Sequence, residues 1–318
     1  MTLPHITDYD HGISAIDAEY YRPRLAAIHL IVEGSTAALV DTGTTFSVPG
    51  VMEVLCQRNI TPESVAYVFL THVHLDHAGG AGEFMHLFPN AKLVVHPRGA
   101  RHISDPTRLI ESAMSVYGEV EFRRMYGEIR PVEASRIIEA SDKFSVELSG
   151  RSLLFLDTPG HARHHYCIFD EQSRSFFTGD TFGVSYREFD VAGMEFVFPT
   201  TTPVQFDPVA SHISLDRLMS YDPQYAFLTH YSRIGNLIHH TNVLHDLIDA
   251  YVAIANKNRN HVSGRHVLLV RELGELLLQR IIANGCTLPQ EKIYDLLSMD
   301  VDLNARGLES WLELPSKQ

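Results

Sequence analysis

The chain alternates short apolar runs with polar turns for most of its length, then changes to apolar positions at helical spacing in its last quarter. Residues 24–32 and 35–40 are two apolar stretches joined at Glu33-Gly34, which predicts a hairpin, and the second ends in Asp41-Thr42-Gly43. Over residues 48–60, Val51, Val54 and Leu55 fall at helical spacing, with Pro49 suited to a first helical turn. Residues 65–70 and 92–95 predict further strands flanking a short helix over 81–88, so the order begins β-β-α-β-α-β. From 97 to about 130 the pattern is mixed and helical. Strand character returns at 143–148, 152–156, 166–169 and 175–177. Asp207-Pro208 reads as an N-cap and first-turn proline opening a helix through Ile213, Leu215 and Leu218, followed by a last short strand at 225–228. After about 236 the chain is helical: Leu244, Leu247, Ile248 and Tyr251, then Leu269, Leu273, Leu276, Leu277 and Ile281, follow the 3.6-residue period around a polar connection at 257–264.

The turns that follow predicted strands hold the candidate chemistry. After 65–70 comes Thr71-His72-Val73-His74-Leu75-Asp76-His77-Ala78-Gly79-Gly80. On an extended backbone His72 and His74, two residues apart, face the same way. Asp76 and His77 follow where two glycines let the chain swing round. Imidazoles and a carboxylate with no thiolate nearby suit borderline divalent metals, and the loop is able to feed two adjacent cations. Three more strand ends deliver donors of the same kind: Pro159-Gly160-His161, Thr178-Gly179-Asp180 and Thr229-His230-Tyr231. His164 and His165 read as supporting or solvent-facing residues, and His239 and His240 as helix-start residues on a solvated face. Phe182, Tyr186, Met194 and Tyr231 read as aromatic and apolar packing, with a pocket wall as the alternative.

Composition narrows the partners. The 318 residues are 45% hydrophobic and 20% charged, enough to bury one large core or two modest ones. The balance of 26 basic and 39 acidic residues, a formal charge of −13, works against nucleic acid and anionic membranes and favours a small-molecule substrate. Cys56, Cys167 and Cys286 are far apart and odd in number, so neither disulfides nor a thiolate metal site is indicated, and each is expected to be buried. Residues 1–10 lack the basic start and apolar core of a signal peptide, and no run reaches membrane-spanning length, so the cytoplasm is the expected location. Self-association into a homo-oligomer stays open.

Taken in order, Asp41, His72-X-His74-X-Asp76-His77, Gly160-His161, Gly179-Asp180 and His230 resemble the motif series of the metallo-β-lactamase-fold metal-dependent hydrolases, over about residues 24–231. Lactonase members share the His-Leu-Asp-His-Ala-Gly-Gly core of the loop, and members similar to hydroxyacylglutathione hydrolase share the metal motifs and a helical C-terminal region. The resemblance implies an α+β fold, a four-layer αββα sandwich with the site at one edge between the sheets. It implies a catalytic domain over 1–236 with a helical insertion at about 98–130, and a helical region over 237–318 packing on or beside it. By the family's pattern His72, His74 and His161 hold one metal, Asp76, His77 and His230 a second, and Asp180 bridges them, with Asp41 behind a ligating histidine. The cofactors implied are two divalent ions per chain, zinc first, with manganese or iron as alternatives.

Two such ions, roughly 3.5–4 Å apart, share a hydroxide that attacks a carboxylic ester, lactone or thioester of a small molecule. Asp76 and Asp180 are the expected catalytic carboxylates, orienting the nucleophile or passing a proton to the leaving group. Two other readings keep the same fold: a mononuclear iron sulfur dioxygenase, and a non-catalytic binding or regulatory protein on this scaffold. Flavodiiron relatives usually carry a glutamate where this loop has His74, which disfavours an electron-transfer role.

Overall fold

In the computed structural model, which describes residues 3–201 and 204–314, the apolar runs build two sheets. The first two residues of the N-terminal stretch lie outside the described residues. The first sheet is ordered β1 (Ile6–Asp8), β2 (Ile13–Asp17), β3 (Ala27–Glu33), β4 (Thr36–Val40), β5 (Val65–Phe69), β6 (Lys92–Val95) and β7 (Ile137–Glu139). Pairing is antiparallel from β1 to β4 and parallel from β4 to β7. Parallel neighbours need crossovers, and the chain makes them with helices. These are α1 (Val48–Gln57), then α2 (Leu75–Ala78) and α3 (Ala81–Leu87), then α4 (Pro97–Ser104), α5 (Thr107–Tyr117) and α6 (Glu119–Tyr126). Because such crossovers are right-handed and the strand order advances in one direction, they cover one face of the sheet and leave the other to the second sheet.

That second sheet contains β8 (Phe144–Leu148), β9 (Arg151–Asp157), β10 (Tyr166–Asp170), β11 (Ser175–Gly179), β12 (Tyr225–Leu228) and β13 (Ser232–Ile234). β8 to β11 form an antiparallel meander, and β12 returns parallel to β11 after the helix α7 (Pro208–Met219). The sheets meet face to face: Ile31, Val40, Phe69 and Val94 of the first pack in one buried cluster with Phe155, Tyr166, Phe177 and Phe227 of the second. The phenol of Tyr166 would be costly in this core, and it donates to the Val94 carbonyl (2.7 Å). A buried ion pair sits in the same body. Arg151 of β9 forks onto Asp170 of β10 (2.9 and 2.5 Å), donates to the His11 carbonyl (2.6 Å), and Ser173 closes on the same carboxylate.

The architecture is the expected α+β sandwich with a helical C-terminal extension, α8 (Leu237–Lys257), α9 (Arg265–Ala283) and α10 (Gln290–Glu313). The residues named above at helical spacing are its buried stripe, Leu276 excepted, which is partly exposed. Two compact units divide the chain. The first takes Met1–Asp157, His164–Gly179 and Pro223–Arg233, and so nearly all of both sheets; the second takes Thr158–Arg163, Asp180–Asp222 and Ile234–Gln318. Among the described residues no helix is long and apolar enough to cross a membrane.

Strands β1, β2, β7 and β13 carry too little apolar alternation to announce themselves. β2 is buried throughout even though it contains Ser14 and Asp17, because Asp17 accepts from the amides of Glu19 (3.0 Å) and Arg24 (2.8 Å) and Ser14 donates to Asp8 (2.7 Å). Cys167 and Cys286 are buried as expected, whereas Cys56 is exposed on α1, at a position the amphipathic pattern gives to solvent.

His29 of β3 is an imidazole committed to the apolar core. It is 1% exposed, with the rings of Phe177 and Phe227 edge-on at 5.4 and 5.6 Å. Burial pushes its pKa from the usual 6.5 down to about 4, partly opposed by the Asp41 carboxylate. The folded value lies below the unfolded one, so this contribution to stability is whole above pH 6.5 and is lost as pH falls toward 4. At 1.36 kcal/mol per pH unit the loss approaches about 3 kcal/mol. Urea unfolding at pH 7 and at pH 4.5 is expected to show a smaller acid penalty, by about 2–3 kcal/mol, for His29→Phe than for the unaltered protein.

Candidate metal centre

β4 is followed directly by Asp41, which lies in the left-handed region (φ 59°) and is fully buried. A buried carboxylate requires donors, and four are provided. The Thr71 amide donates to Oδ1 (2.8 Å), the Thr71 hydroxyl to the same carboxylate (2.9 Å to Oδ2), the Thr229 hydroxyl to Oδ2 (2.7 Å) and His77 Nδ1 to Oδ2 (2.8 Å). Thr71 follows β5 and Thr229 follows β12, so one side chain gathers strand ends from both sheets.

The histidine loop is stitched to the turn after Asp41. The Thr42 amide and hydroxyl both donate to the His77 carbonyl (2.7 Å each), and the Gly80 amide donates to the Gly43 carbonyl (3.1 Å). A side chain at Gly80 would put its Cβ 2.7 Å from the Thr42 carbonyl, so only glycine allows this approach. His74 precedes the single turn α2, which carries Asp76 and His77.

Within the first unit five of the seven expected ligands are assembled. His72 Nε2 and His74 Nδ1 are 2.7 Å apart. Asp76 Oδ2 lies 3.5 Å from His77 Nε2 and 3.2 Å from His230 Nε2, and one ligand atom from each of these three falls within 4.8 Å of the others. Hydrogen bonds at the far nitrogens decide the tautomers. His77 Nδ1 donates to Asp41, His230 Nδ1 to the Leu25 carbonyl (2.7 Å) and His72 Nδ1 to the Thr71 hydroxyl (3.2 Å). Each Nε2 is therefore the lone-pair nitrogen, and around Asp76 two lone pairs and a carboxylate oxygen converge. Three acceptors in one place call for a cation.

The second unit carries the other two. His161 Nε2 and Asp180 Oδ2 are 3.4 Å apart, each residue 7% exposed. Gly160, at φ 138°, has its α-carbon against Ser211, where an added Cβ would lie 2.6 Å from the Ser211 amide nitrogen. The Ser214 hydroxyl donates to the Pro159 carbonyl (2.6 Å), which fixes the loop on α7. His161 Nδ1 donates to the Thr200 carbonyl (3.3 Å), so its Nε2 again turns a lone pair toward a carboxylate. The next residue, Thr201, is held by Asn304 of α10: its amide donates to Asn304 Oδ1 (2.7 Å) and its hydroxyl to the Asn304 carbonyl (2.9 Å). His161 and Asp180 border a cavity of about 10 Å³ inside this unit, room for about one water, with Phe206, Leu244 and Ile248 on its apolar side.

The neighbours divide between expectation and surprise. Of the two roles expected for His164 and His165, supporting or solvent-facing, their burial leaves the first. The His165 ring lies 4.8 Å from that of His72, and the His164 ring 5.5 Å from that of His74. His240 is buried against Glu195 (3.3 Å), a partner 45 residues away in sequence that no local pattern reveals; His239 is exposed. Phe182, Tyr186 and Tyr231 are buried as packing residues, the Tyr186 phenol donating to Asp300 (2.9 Å), and Met194 is exposed. Asn304 has no sequence signature at all. Tyr20 and Tyr126 stack at 5.9 Å with hydroxyls 3.2 Å apart; burial raises both phenol pKa values, and the nearby Asp76 charge adds to the shift.

Known proteins resemble this chain in sequence and in fold. The pattern of the family described as the metallo-beta-lactamase superfamily matches residues 21–230. A metallo-beta-lactamase fold-containing protein of Sulfurisphaera tokodaii is 27% identical over 198 residues, 61% of this chain and 67% of that protein. A thioesterase of Emericella nidulans is 26% identical over 187 residues, 56% of this chain and 44% of that protein, so the match spans under half of it. In three dimensions, an archaeal metallo-beta-lactamase superfamily protein from Sulfolobus tokodaii superposes with a TM-score of 0.63 at 22% identity, covering 95% of this chain and 99% of its own, which shows a shared fold.

Because Asn304 is 1% exposed and its side chain accepts from the Thr201 amide, Asn304→Ala leaves that buried donor unmet, at about 1–3 kcal/mol, while the hydroxyl keeps the main-chain carbonyl. The midpoint of urea unfolding is expected to fall accordingly, and the His161 ring resonance to shift in NMR spectra. An unchanged His161 resonance would separate Asn304 from the histidine.

Proposed function

The chain belongs to the metallo-beta-lactamase superfamily, and on that premise we propose that it is a dinuclear metal-dependent hydrolase of small carboxylic esters, thioesters or lactones. The observation that carries this reading is the convergence of Asp76 Oδ2, His77 Nε2 and His230 Nε2, each histidine fixed from behind by an acceptor on its Nδ1. That donor set, imidazole and carboxylate without thiolate, fits zinc, with manganese or iron as alternatives. In this reading His72, His74 and His161 would hold one ion, Asp76, His77 and His230 the other, and Asp180 would serve both. Bound divalent ions supply Lewis acidity and lower the pKa of water to about 7.

The protein's own groups do the rest. Asp41 holds the Nδ1 proton of His77, and the Leu25 carbonyl that of His230, so both rings keep their orientation through turnover. Asp76 and Asp180 are the proposed carboxylates for orienting the attacking water and for carrying a proton to the leaving oxygen or sulfur. The thioesterase relative favours thioesters within the substrate class. The catalytic body is proposed to extend over residues 1–236, with 237–318 as a helical region packing on or beside it.

Elemental analysis of reconstituted protein is expected to give close to two equivalents of metal; one equivalent or fewer would sink the dinuclear reading, and a single iron would favour the dioxygenase. Turnover is expected on a panel of thioesters, lactones and aryl esters rather than on phosphodiesters. His77→Ala and Asp180→Ala are expected to lower it by more than about 100-fold, with circular dichroism unchanged. Asp41→Asn is expected to weaken metal affinity by about 10–100-fold in a chelator competition, because the amide nitrogen accepts nothing and must face either the Thr71 amide or the donors Thr229 and His77.

A further inference from the structure

Helices α7 and α8 carry the same short pattern, a histidine followed four residues later by an aspartate: His212 and Asp216 on one, His245 and Asp249 on the other. Spacing of four puts both members of each pair on one helical face. The pairs are crossed between the helices. His212 Nε2 meets Asp249 Oδ1 and His245 Nε2 meets Asp216 Oδ1, both at 3.1 Å. Each Nε2 therefore donates its proton to a carboxylate, and each Nδ1 is left as the lone-pair nitrogen. The two Nδ1 atoms face one another 2.5 Å apart, with the ring planes within 15°. Two lone pairs hold that separation only around a positive charge, which is either a proton or a metal ion.

We propose that His212 and His245 form a cation site within the second unit, separate in sequence and in residues from the candidate centre, that binds one borderline divalent ion of the zinc or copper(II) class. Three features support it. Imidazole nitrogens are the ligands such ions prefer. Each ring has a carboxylate on its far nitrogen, the arrangement that orients metal-binding histidines and raises their basicity. The approach of the ring nitrogens repeats that of His72 and His74, 2.7 Å apart. Tetrahedral binding at about 2.0–2.1 Å per nitrogen needs the two atoms roughly 3.3 Å apart, so the rings swing open by less than an ångström. Side chains 27% and 24% exposed have room to do so, and solvent completes the coordination. Asp216 and Asp249, 74% and 77% exposed, offset the ion's charge while leaving the face open.

The test is a difference, so it is independent of how many ions the candidate centre holds. The unaltered protein and the double variant His212→Gln, His245→Gln are equilibrated with zinc chloride and analysed for zinc per chain. The unaltered protein is expected to hold one more equivalent. With copper(II) chloride in place of zinc, its electron paramagnetic resonance spectrum is expected to contain a component split by two ring nitrogens that the variant lacks. Equal zinc content and superimposable copper spectra would overturn the proposal and leave the pair as two rings sharing a proton only. Should the double variant misfold by circular dichroism, His245→Gln alone carries the same comparison.

Discussion

The first unit depends on one buried carboxylate. Asp41 has no contact with water and accepts from Thr71, His77 and Thr229, which come from the ends of β5, α2 and β12. A charge in this position persists only while its donors stay in place, and the donors stay in place only while the strands that present them are in register. The relation is mutual. The carboxylate sets the edge of the sandwich where the histidines emerge, and the sandwich keeps the carboxylate fully hydrogen-bonded.

The same logic, a nitrogen fixed from behind so that its opposite lone pair has one direction, is used with different backing groups. Asp41 backs His77, a main-chain carbonyl backs His230, a hydroxyl backs His72, and the Thr200 carbonyl backs His161. A carboxylate raises ring basicity more than a carbonyl does, so the histidines are chemically unequal even though their side chains are identical. In the second unit the backing reaches further, since Thr200 precedes the residue that Asn304 of the last helix holds by three contacts. The C-terminal helix thus bears on a loop that precedes it by a hundred residues in sequence.

Much of this was legible in the chain. Strands with continuous apolar character, such as β3, β5 and β9, and helices with a clear stripe, such as α8 and α9, follow from periodicity because their burial requires it. The histidine loop and the three later strand-end donors stand out because polar residues right after buried strands have few structural uses. What escaped had too short a run or depended on polar partners. β2 is buried with Asp17 satisfied by two amides of the turn that follows it, which no apolar pattern announces, β7 is three residues long, His240 is buried by Glu195, and Asn304 is an ordinary helix residue until Thr201 is placed beside it. Exposure of Cys56 shows the converse, a residue type that usually seeks the core yielding to its place on a helical face.

The way the two units divide the chain bears on how the protein is made. Residues up to Asp157 complete the first sheet and start the second, but β12 arrives only after a long segment of the other unit has been synthesised, and that unit waits in turn for α8 to α10. Neither unit is a continuous stretch that emerges whole from a ribosome. Parallel pairing of β11 with β12 closes a loop of more than forty residues, and closing long loops before they are rewarded slows folding. Until that loop closes, the edge of β11 has no neighbour on its far side and Asp41 lacks the hydroxyl of Thr229. The nascent chain therefore passes through a stage in which an apolar strand edge and a buried-to-be charge are both exposed, which is where chaperone contact would matter most.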